Sequence, residues 1–206
     1  ITFSGNSATG WAGVYNFING SGGLTGSFES FCIDVSQDIF AGQTVGFDKS
    51  SLADAPNDGN SNPGMGALRA SLIAELWFKD RALIGTSDTN AAAFQIAIWK
   101  IINETQAADM TDVTKGSFTV TGPNATLKQA NAWLSGIALD GSGPQAGGLI
   151  ALTNPTYQDY VVQSVPAPPG VVLGASAAAT LFLALVWRRR RRLSVAFGGS
   201  APRGQS

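Results

Sequence analysis

The C-terminal part of the chain contains the feature that most restricts its architecture, an apolar run between a proline-rich segment and a block of arginines. "VPAPPG" (165–170) precedes "VVLGASAAATLFLALVW" (171–187). A run of about 17 apolar residues is at the short limit for a helix that crosses a bilayer, and Trp187 stands where aromatic side chains favour the headgroup region. The block that follows consists of Arg188, Arg189, Arg190, Arg191 and Arg192.

This layout predicts a transmembrane helix at 171–187 and an Arg-rich cytoplasmic tail at 188–206. Because arginine blocks stay on the cytoplasmic side, residues 1–164 are expected to form an extracytoplasmic domain, joined to the helix by the linker 165–170. The alternative is a buried core helix with a basic tail, which is disfavoured because the run has no polar face.

The same end of the chain resembles the PEP-CTERM sorting signal of bacterial surface proteins. In that family a short proline-containing motif, matched here by Val165, Pro166 and Pro168, precedes a transmembrane helix and an arginine-rich end. The resemblance implies processing by an exosortase-type enzyme, anchoring in the inner membrane before sorting, and a final location at the cell surface or in the extracellular matrix. An exported protein is also expected to be made with a signal peptide, which a sequence starting at Ile1 does not show.

Charge and composition exclude several classes of function. Six of the 13 basic residues are Arg188–Arg192 and Arg203, so residues 1–164 carry seven basic and all 14 acidic side chains, a formal charge of −7. Nucleic acid is therefore not an expected partner, because phosphate binding needs a clustered basic surface. The chain has no histidine and one cysteine, Cys32, which excludes His-dependent triads and disfavours the usual zinc and copper sites. No cofactor or metal is expected.

The pattern along residues 1–164 predicts an α+β fold, with a β-rich body like a sandwich or barrel into which a helical section is inserted. Helices are expected over about 64–80, 88–103 and 126–139, where apolar residues recur at helical spacing after capping or proline signals. Shorter β-rich runs separated by turn residues predict the strands. These lie at 11–18, 27–35, 43–48, 116–120, 148–152 and 157–165.

Two residues do not fit their surroundings. Gln95 in "FQIAIWK" (94–100) shares its predicted helix face with apolar side chains only, and a buried amide without a partner costs about 1–3 kcal/mol. Cys32 alternates with Phe31 and Ile33, so it is expected on the face opposite to theirs, on a mixed surface with Ser30 and Asp34 where another layer could pack. A thiolate is a strong nucleophile, and its attack on a glutamine side-chain carbonyl with loss of ammonia would join Cys32 to Gln95 in a thioester.

"FCID" (31–34) followed by "FQIAIWK" resembles the thioester domains of Gram-positive surface adhesins. In that family a cysteine on a strand is joined to a glutamine on a helix within a Gln-x-Ala-aliphatic-Trp motif, matched here by Ala97, Ile98 and Trp99. Phe94 stands where the family usually has Thr. The resemblance implies covalent capture of amines on a target surface or matrix, with Phe31 and Asp34 as supporting positions next to the cysteine. Proton transfer by Asp34 and a purely structural role both remain open for that residue.

The competing hypothesis is a passive structural, biofilm-matrix or envelope protein in which Cys32 and Gln95 are ordinary core residues. An enzyme is not expected. The sequence lacks histidine, a phosphate-binding loop and an evident pair of catalytic carboxylates.

Overall fold

Five antiparallel strands form the main sheet of the domain, and they come from both ends of residues 1–164. The computed structural model describes residues 2–3, 10–22, 24–56 and 64–164. The strands are β1 (Thr2–Phe3), β2 (Tyr15–Gly20), β3 (Gly26–Cys32), β4 (Asp48–Ser51), β5 (Val120–Thr121), β6 (Leu149–Thr153) and β7 (Tyr160–Gln163). The sheet has the order β2-β3-β7-β6-β4, and a separate two-stranded pair joins β1 to β5.

Three α-helices follow β4 in the chain: α1 (Gly66–Asp80), α2 (Asp88–Asn103) and α3 (Asn124–Leu134). The hydroxyl of Ser87 caps α2 by accepting a hydrogen bond from the main-chain N–H of Asn90, 3.1 Å away. From Ala93 to Ile102 every residue of α2 is buried, so this helix lies in the middle of the domain. A helix buried on all sides is stabilised mainly by packing of its apolar surface.

Aromatic side chains join the helices to the sheet. The ring of Phe31 in β3 contacts Trp77 of α1 and Phe94 of α2, with centroids 5.7 and 4.9 Å apart. On the other face of the sheet, Cys32 lies opposite Tyr160 of β7, and the Tyr160 ring contacts Tyr15 at 5.1 Å. Both faces of β3 are therefore buried at its carboxyl end.

The prediction of an α+β fold is confirmed. Within the described residues the strands form one open sheet and a two-stranded pair, and neither a second large sheet nor a closed barrel is seen there. The predicted bounds of α2 match the observed ones, whereas α3 begins at Asn124 and ends at Leu134 rather than covering 126–139. The strands are shorter than or displaced from their predicted runs because pairing with distant segments decides where each one begins and ends.

No helix in the described ranges is long and apolar enough to cross a membrane. The predicted span at 171–187 lies outside these ranges, as do the sorting motif at Val165, Pro166 and Pro168 and the arginines 188–192.

Candidate functional site

The side chain of Gln95 is hydrogen-bonded to the main chain of Cys32. Its Oε1 accepts a hydrogen bond from the Cys32 N–H at 2.8 Å, and its Nε2 donates to the Cys32 carbonyl at 2.7 Å. Both residues are fully buried. The structure thus brings together the two residues that the sequence singled out, 63 positions apart in the chain.

Because β2 begins at Tyr15, no strand in the described ranges pairs with Cys32 on the β2 side of β3, and a side chain can reach the Cys32 main chain there. Ile33 donates to the carbonyl of Asp159, so the main-chain groups of Cys32, one residue earlier, point to the opposite edge of β3. On that edge β2 starts at Tyr15, which pairs with Ser30. Beyond that pair, the Gln95 amide supplies the donor and acceptor that a neighbouring strand would supply.

The sulfur of Cys32 lies among donors and an acceptor. The indole Nε1 of Trp99 and the main-chain N–H of Asp34 each lie 3.3 Å from Sγ, with geometry that allows both to donate to it. The thiol itself donates to the Asp34 carbonyl at 2.6 Å. Trp99 is one turn beyond Gln95 on α2, so a single helix face contacts the main chain and the side chain of Cys32.

Burial dominates the acid–base properties of the site. It raises the pKa of the Cys32 thiol, and the hydrogen bonds from Trp99 and Asp34 oppose that rise only in part. The nearby carboxylates of Asp34 and Asp159 raise the same pKa further, because they disfavour a second negative charge. Burial also raises the pKa of the Tyr160 phenol, so the ring beside Cys32 is neutral at physiological pH. The resting state of an unmodified Cys32 is therefore the thiol.

The supporting positions of the motif on α2 are buried. Ala97 and Ile98 are fully buried in α2. Phe94 packs between Phe31, Trp77 and Trp133, with centroids up to 6.0 Å apart, which explains an aromatic residue at this position.

Asp34 has a structural contact. One carboxylate oxygen accepts hydrogen bonds from both the N–H and the hydroxyl of Ser36, each at 2.7 Å. These bonds form a local turn after β3, which supports the structural interpretation of Asp34.

Cys32 lies with Ser30 and Asp34 on the face of β3 opposite Phe31, and another layer packs on this mixed face. Ser30, Cys32 and Asp34 are all buried, because Tyr160 and the aromatic rings around it cover this face of the sheet. A period of two in the sequence separates the faces of a strand but does not show whether the second face is covered.

A second polar cluster in the helical section was not predicted. Lys100 is fully buried and its Nζ donates to Glu104 at 2.6 Å and to the carbonyls of Lys115 and Phe118 at 2.6 and 2.9 Å. The other Glu104 oxygen accepts from main-chain N–H groups and from the hydroxyl of Ser117 at 2.7 Å. The lysine within the apolar run "AIWKII" and the acid four residues later were the available signal.

This pair anchors the end of α2, next to the candidate site. Burial disfavours the charge on Glu104, but hydrogen bonds from Lys100, Ser117 and the main chain outweigh it and lower its pKa to about 2. Glu104 is therefore a carboxylate at physiological pH, and the hydrogen bonds of Lys100 to Glu104 and to the Lys115 carbonyl hold the segment around Lys115 against α2.

Among the described residues, no group of three or more histidine, cysteine, aspartate or glutamate side chains is arranged to hold a metal ion. No protein-family model, curated protein or solved structure matches the chain.

Proposed function

We propose that Cys32 and Gln95 form an internal thioester and that the protein uses this bond to capture amines covalently at a bacterial surface. The observation that carries the proposal is the pair of hydrogen bonds between the Gln95 amide and the Cys32 main chain, 2.8 and 2.7 Å long. They hold the Gln95 amide against the main chain of the residue that carries the only thiol of the chain, in a buried site. Such fixed geometry supports a reaction between a thiol and an amide, since effective molarities of oriented groups reach about 10⁵–10⁸ M.

Formation of the thioester is a balanced exchange within the domain. The Cys32 sulfur attacks the Gln95 side-chain carbonyl carbon, the C–N bond breaks, and the thiol proton leaves with the nitrogen as ammonia. The Cys32 N–H that already donates to Oε1 would stabilise the charge that develops on this oxygen. The Cys32 carbonyl holds Nε2, the leaving group, by accepting its hydrogen bond.

Capture of the target reverses the roles of the two side chains. The nitrogen of an amine on a surface or matrix molecule attacks the Gln95 acyl carbon, and the C–S bond breaks. A proton from the amine ends on sulfur, so that the product is an amide at Gln95 and a free Cys32 thiol. Each chain reacts once, and the protein acts as an adhesin rather than as an enzyme.

Burial of the site supports storage of a reactive bond. Ile98 is fully buried, and Trp99 is only 3% exposed. A dry site protects a thioester from hydrolysis until the target arrives. Capture then requires that the residues packed around Gln95 move apart. Access of the amine to the acyl carbon, rather than the strength of the thioester, would therefore limit the reaction.

The C-terminal residues supply the proposed location. The helix 171–187 would hold the chain in the inner membrane until an exosortase-type enzyme acts near Val165, Pro166 and Pro168, leaving residues 1–164 at the surface or in the matrix. In cells, we expect a chain ending at Ser164 to appear in the soluble fraction. The full chain is expected in the membrane fraction before processing. If the full chain and the shortened chain divided equally between the two fractions, the proposed membrane anchor at 171–187 would be contradicted.

Intact-mass spectrometry of the purified chain tests the thioester directly. The mass is expected to be lower than that of the sequence by one ammonia, and Cys32→Ala or Gln95→Ala should abolish this difference. Gln158→Ala is the matched control, because Gln158 is also buried and its Nε2 donates to the carbonyl of Asp34, 3.1 Å away. This variant should keep the loss of ammonia. An unmodified mass in the unsubstituted chain would refute the proposal.

A specific observation also favours the alternative, a passive structural or matrix protein without a reactive bond. The two hydrogen bonds to Cys32 engage both polar atoms of the Gln95 side chain, so the amide is satisfied without any covalent change. In that case Gln95 only completes the hydrogen bonding of a strand end. The unmodified mass, together with a thiol that is alkylated after unfolding, would support this alternative.

A further inference from the structure

The sulfur of Cys32 has two hydrogen-bond donors, and only one of them comes from the main chain next to it. Asp34 N–H reaches Sγ from two residues along the chain, as the local turn requires. The indole N–H of Trp99 comes from α2, 67 positions away, and lies 3.3 Å from Sγ. An indole offers one donor and no acceptor, so its contact with the sulfur favours a sulfur that is rich in electrons.

We propose that the Trp99 indole N–H, together with the Asp34 N–H, stabilises the charge on the Cys32 sulfur when the thioester forms and when it opens. This inference rests on the proposed function and assigns to Trp99 a catalytic part in it, beyond packing and exclusion of water. The sulfur carries negative charge in two steps: as the attacking thiolate during formation, and as the leaving group when an amine displaces it. During formation the thiol proton passes to the Gln95 nitrogen, which leaves as ammonia, and during opening a proton of the amine reaches sulfur after the C–S bond breaks.

The environment makes these two donors important. Carboxylates of Asp34 and Asp159 lie near the sulfur and burial removes water, so both effects oppose a charged sulfur. Hydrogen bonds to a charged atom in a dry site are stronger than those between neutral groups. The Cys32 N–H serves the acyl oxygen and the Trp99 N–H serves the sulfur, so each of the two atoms that gain charge has its own donor.

The test compares Trp99→Phe with Trp77→Phe in the full chain. The two tryptophans are each 3% exposed, and each loses one indole hydrogen bond, because Trp77 donates to Gln163 at 3.0 Å. The rate of thioester opening by methylamine is followed by intact mass. We expect opening to slow by about tenfold in Trp99→Phe, from the loss of a hydrogen bond to a developing charge, and by less than about twofold in Trp77→Phe. A packing role for Trp99 predicts the opposite change, since a cavity beside the thioester admits water and amine.

Infrared spectroscopy supplies a readout that does not depend on the rate of the reaction. The chain has one thiol, so after methylamine treatment the S–H stretching band reports Cys32 alone. This band should shift in Trp99→Phe and stay in place in Trp77→Phe. If Trp99→Phe fails to fold, incorporation of benzothienylalanine at position 99 replaces only the N–H by sulfur and serves for both measurements.

The outcomes separate this inference from the proposed function. If the unsubstituted chain shows no loss of ammonia, the thioester and the role of Trp99 are both refuted. If it does form the thioester, and removal of the Trp99 N–H leaves the opening rate and the S–H band as they are in Trp77→Phe, only the role of Trp99 is refuted.

Discussion

Gln95 completes the hydrogen bonding of Cys32 in the way that a neighbouring strand would. The amide side chain from α2 binds the N–H and the carbonyl of Cys32, the last residue of β3. The neighbouring strand β2 begins opposite Ser30 and does not reach Cys32. The same contact serves a structural purpose and holds the Gln95 amide at the residue that carries the only thiol of the chain.

Opening of the proposed thioester should lower the stability of the domain. A bond between Cys32 and Gln95 closes a loop of 63 residues, and in the chain-entropy model a cross-link of this size contributes about 4 kcal/mol to the free energy of unfolding. Denaturant unfolding monitored by circular dichroism, before and after methylamine treatment, measures the difference. Cys32→Ala, which cannot form the bond, should unfold identically with and without methylamine. Coincident curves for the treated and untreated natural chain would contradict the cross-link.

The effects of Cys32→Ala and Gln95→Ala on stability should not add. Each variant alone removes the whole cross-link, so the double variant is expected to be less destabilised than the sum of the two by a large part of that energy. Chemical denaturation of the three variants gives the coupling energy. If the two changes add within about 0.5 kcal/mol, the side chains do not act as a unit.

The thiol of Cys32 should be poorly reactive in the folded chain even when no thioester is present. Burial raises its pKa, so the thiolate is scarce at neutral pH, and the side chain has no exposed surface. In Gln95→Ala, iodoacetamide is expected to alkylate Cys32 slowly in buffer and rapidly in denaturant, as measured by intact mass. The rate in buffer should still be rising above pH 9. Rapid alkylation at pH 7 that levels off at higher pH would contradict a buried, protonated thiol.

Acid should weaken the domain through Glu104. Its pKa is about 2 in the folded protein, against 4.5 for an ordinary glutamate, because hydrogen bonds from Lys100 and Ser117 outweigh the cost of burial. A lowered pKa gives stability that is complete above about pH 4.5 and is lost as the pH falls toward 2. The loss is on the order of 3 kcal/mol. Urea unfolding at several pH values measures it.

Two variants check the role of Glu104. Glu104→Gln should lower stability at pH 7 by about 3–5 kcal/mol, because it leaves the Lys100 charge buried without its partner, and should flatten the pH dependence between 4.5 and 2. Glu29→Gln removes the half-exposed acid of the Arg81 pair and should cost less than about 1 kcal/mol. Equal effects of the two substitutions would show that the buried pair is no more important than a surface one.

Gly116 should not tolerate a side chain. Its φ is +83°, a conformation that residues with a Cβ rarely adopt, and a Cβ at this position would clash with the Glu104 carboxylate. Gly116→Ala is expected to destabilise by more than about 1 kcal/mol, because it combines backbone strain with displacement of the buried pair. Gly147→Ala has open space around it and should change stability by less than about 0.5 kcal/mol. Thermal unfolding of the two variants makes the comparison.

The sequence by itself determined the elements whose signals are local. The helix α2 was predicted with its observed bounds, since the Ser87 cap and the apolar spacing lie within the segment itself. The choice of Cys32 and Gln95 also came from the sequence, because a lone thiol and a polar residue on an apolar helix face are anomalies that need no coordinates.

Only the tertiary structure decided how these residues meet. The hydrogen bonds of Gln95 with the Cys32 main chain depend on where β2 begins, and the contact of Trp99 with the sulfur depends on how α2 lies against β3. The Lys100–Glu104 cluster depends on the segment from Lys115 to Phe118, which supplies two carbonyls to Nζ. Periodicity and propensity describe residues a few positions apart, whereas these contacts join segments that come together only when the core is packed.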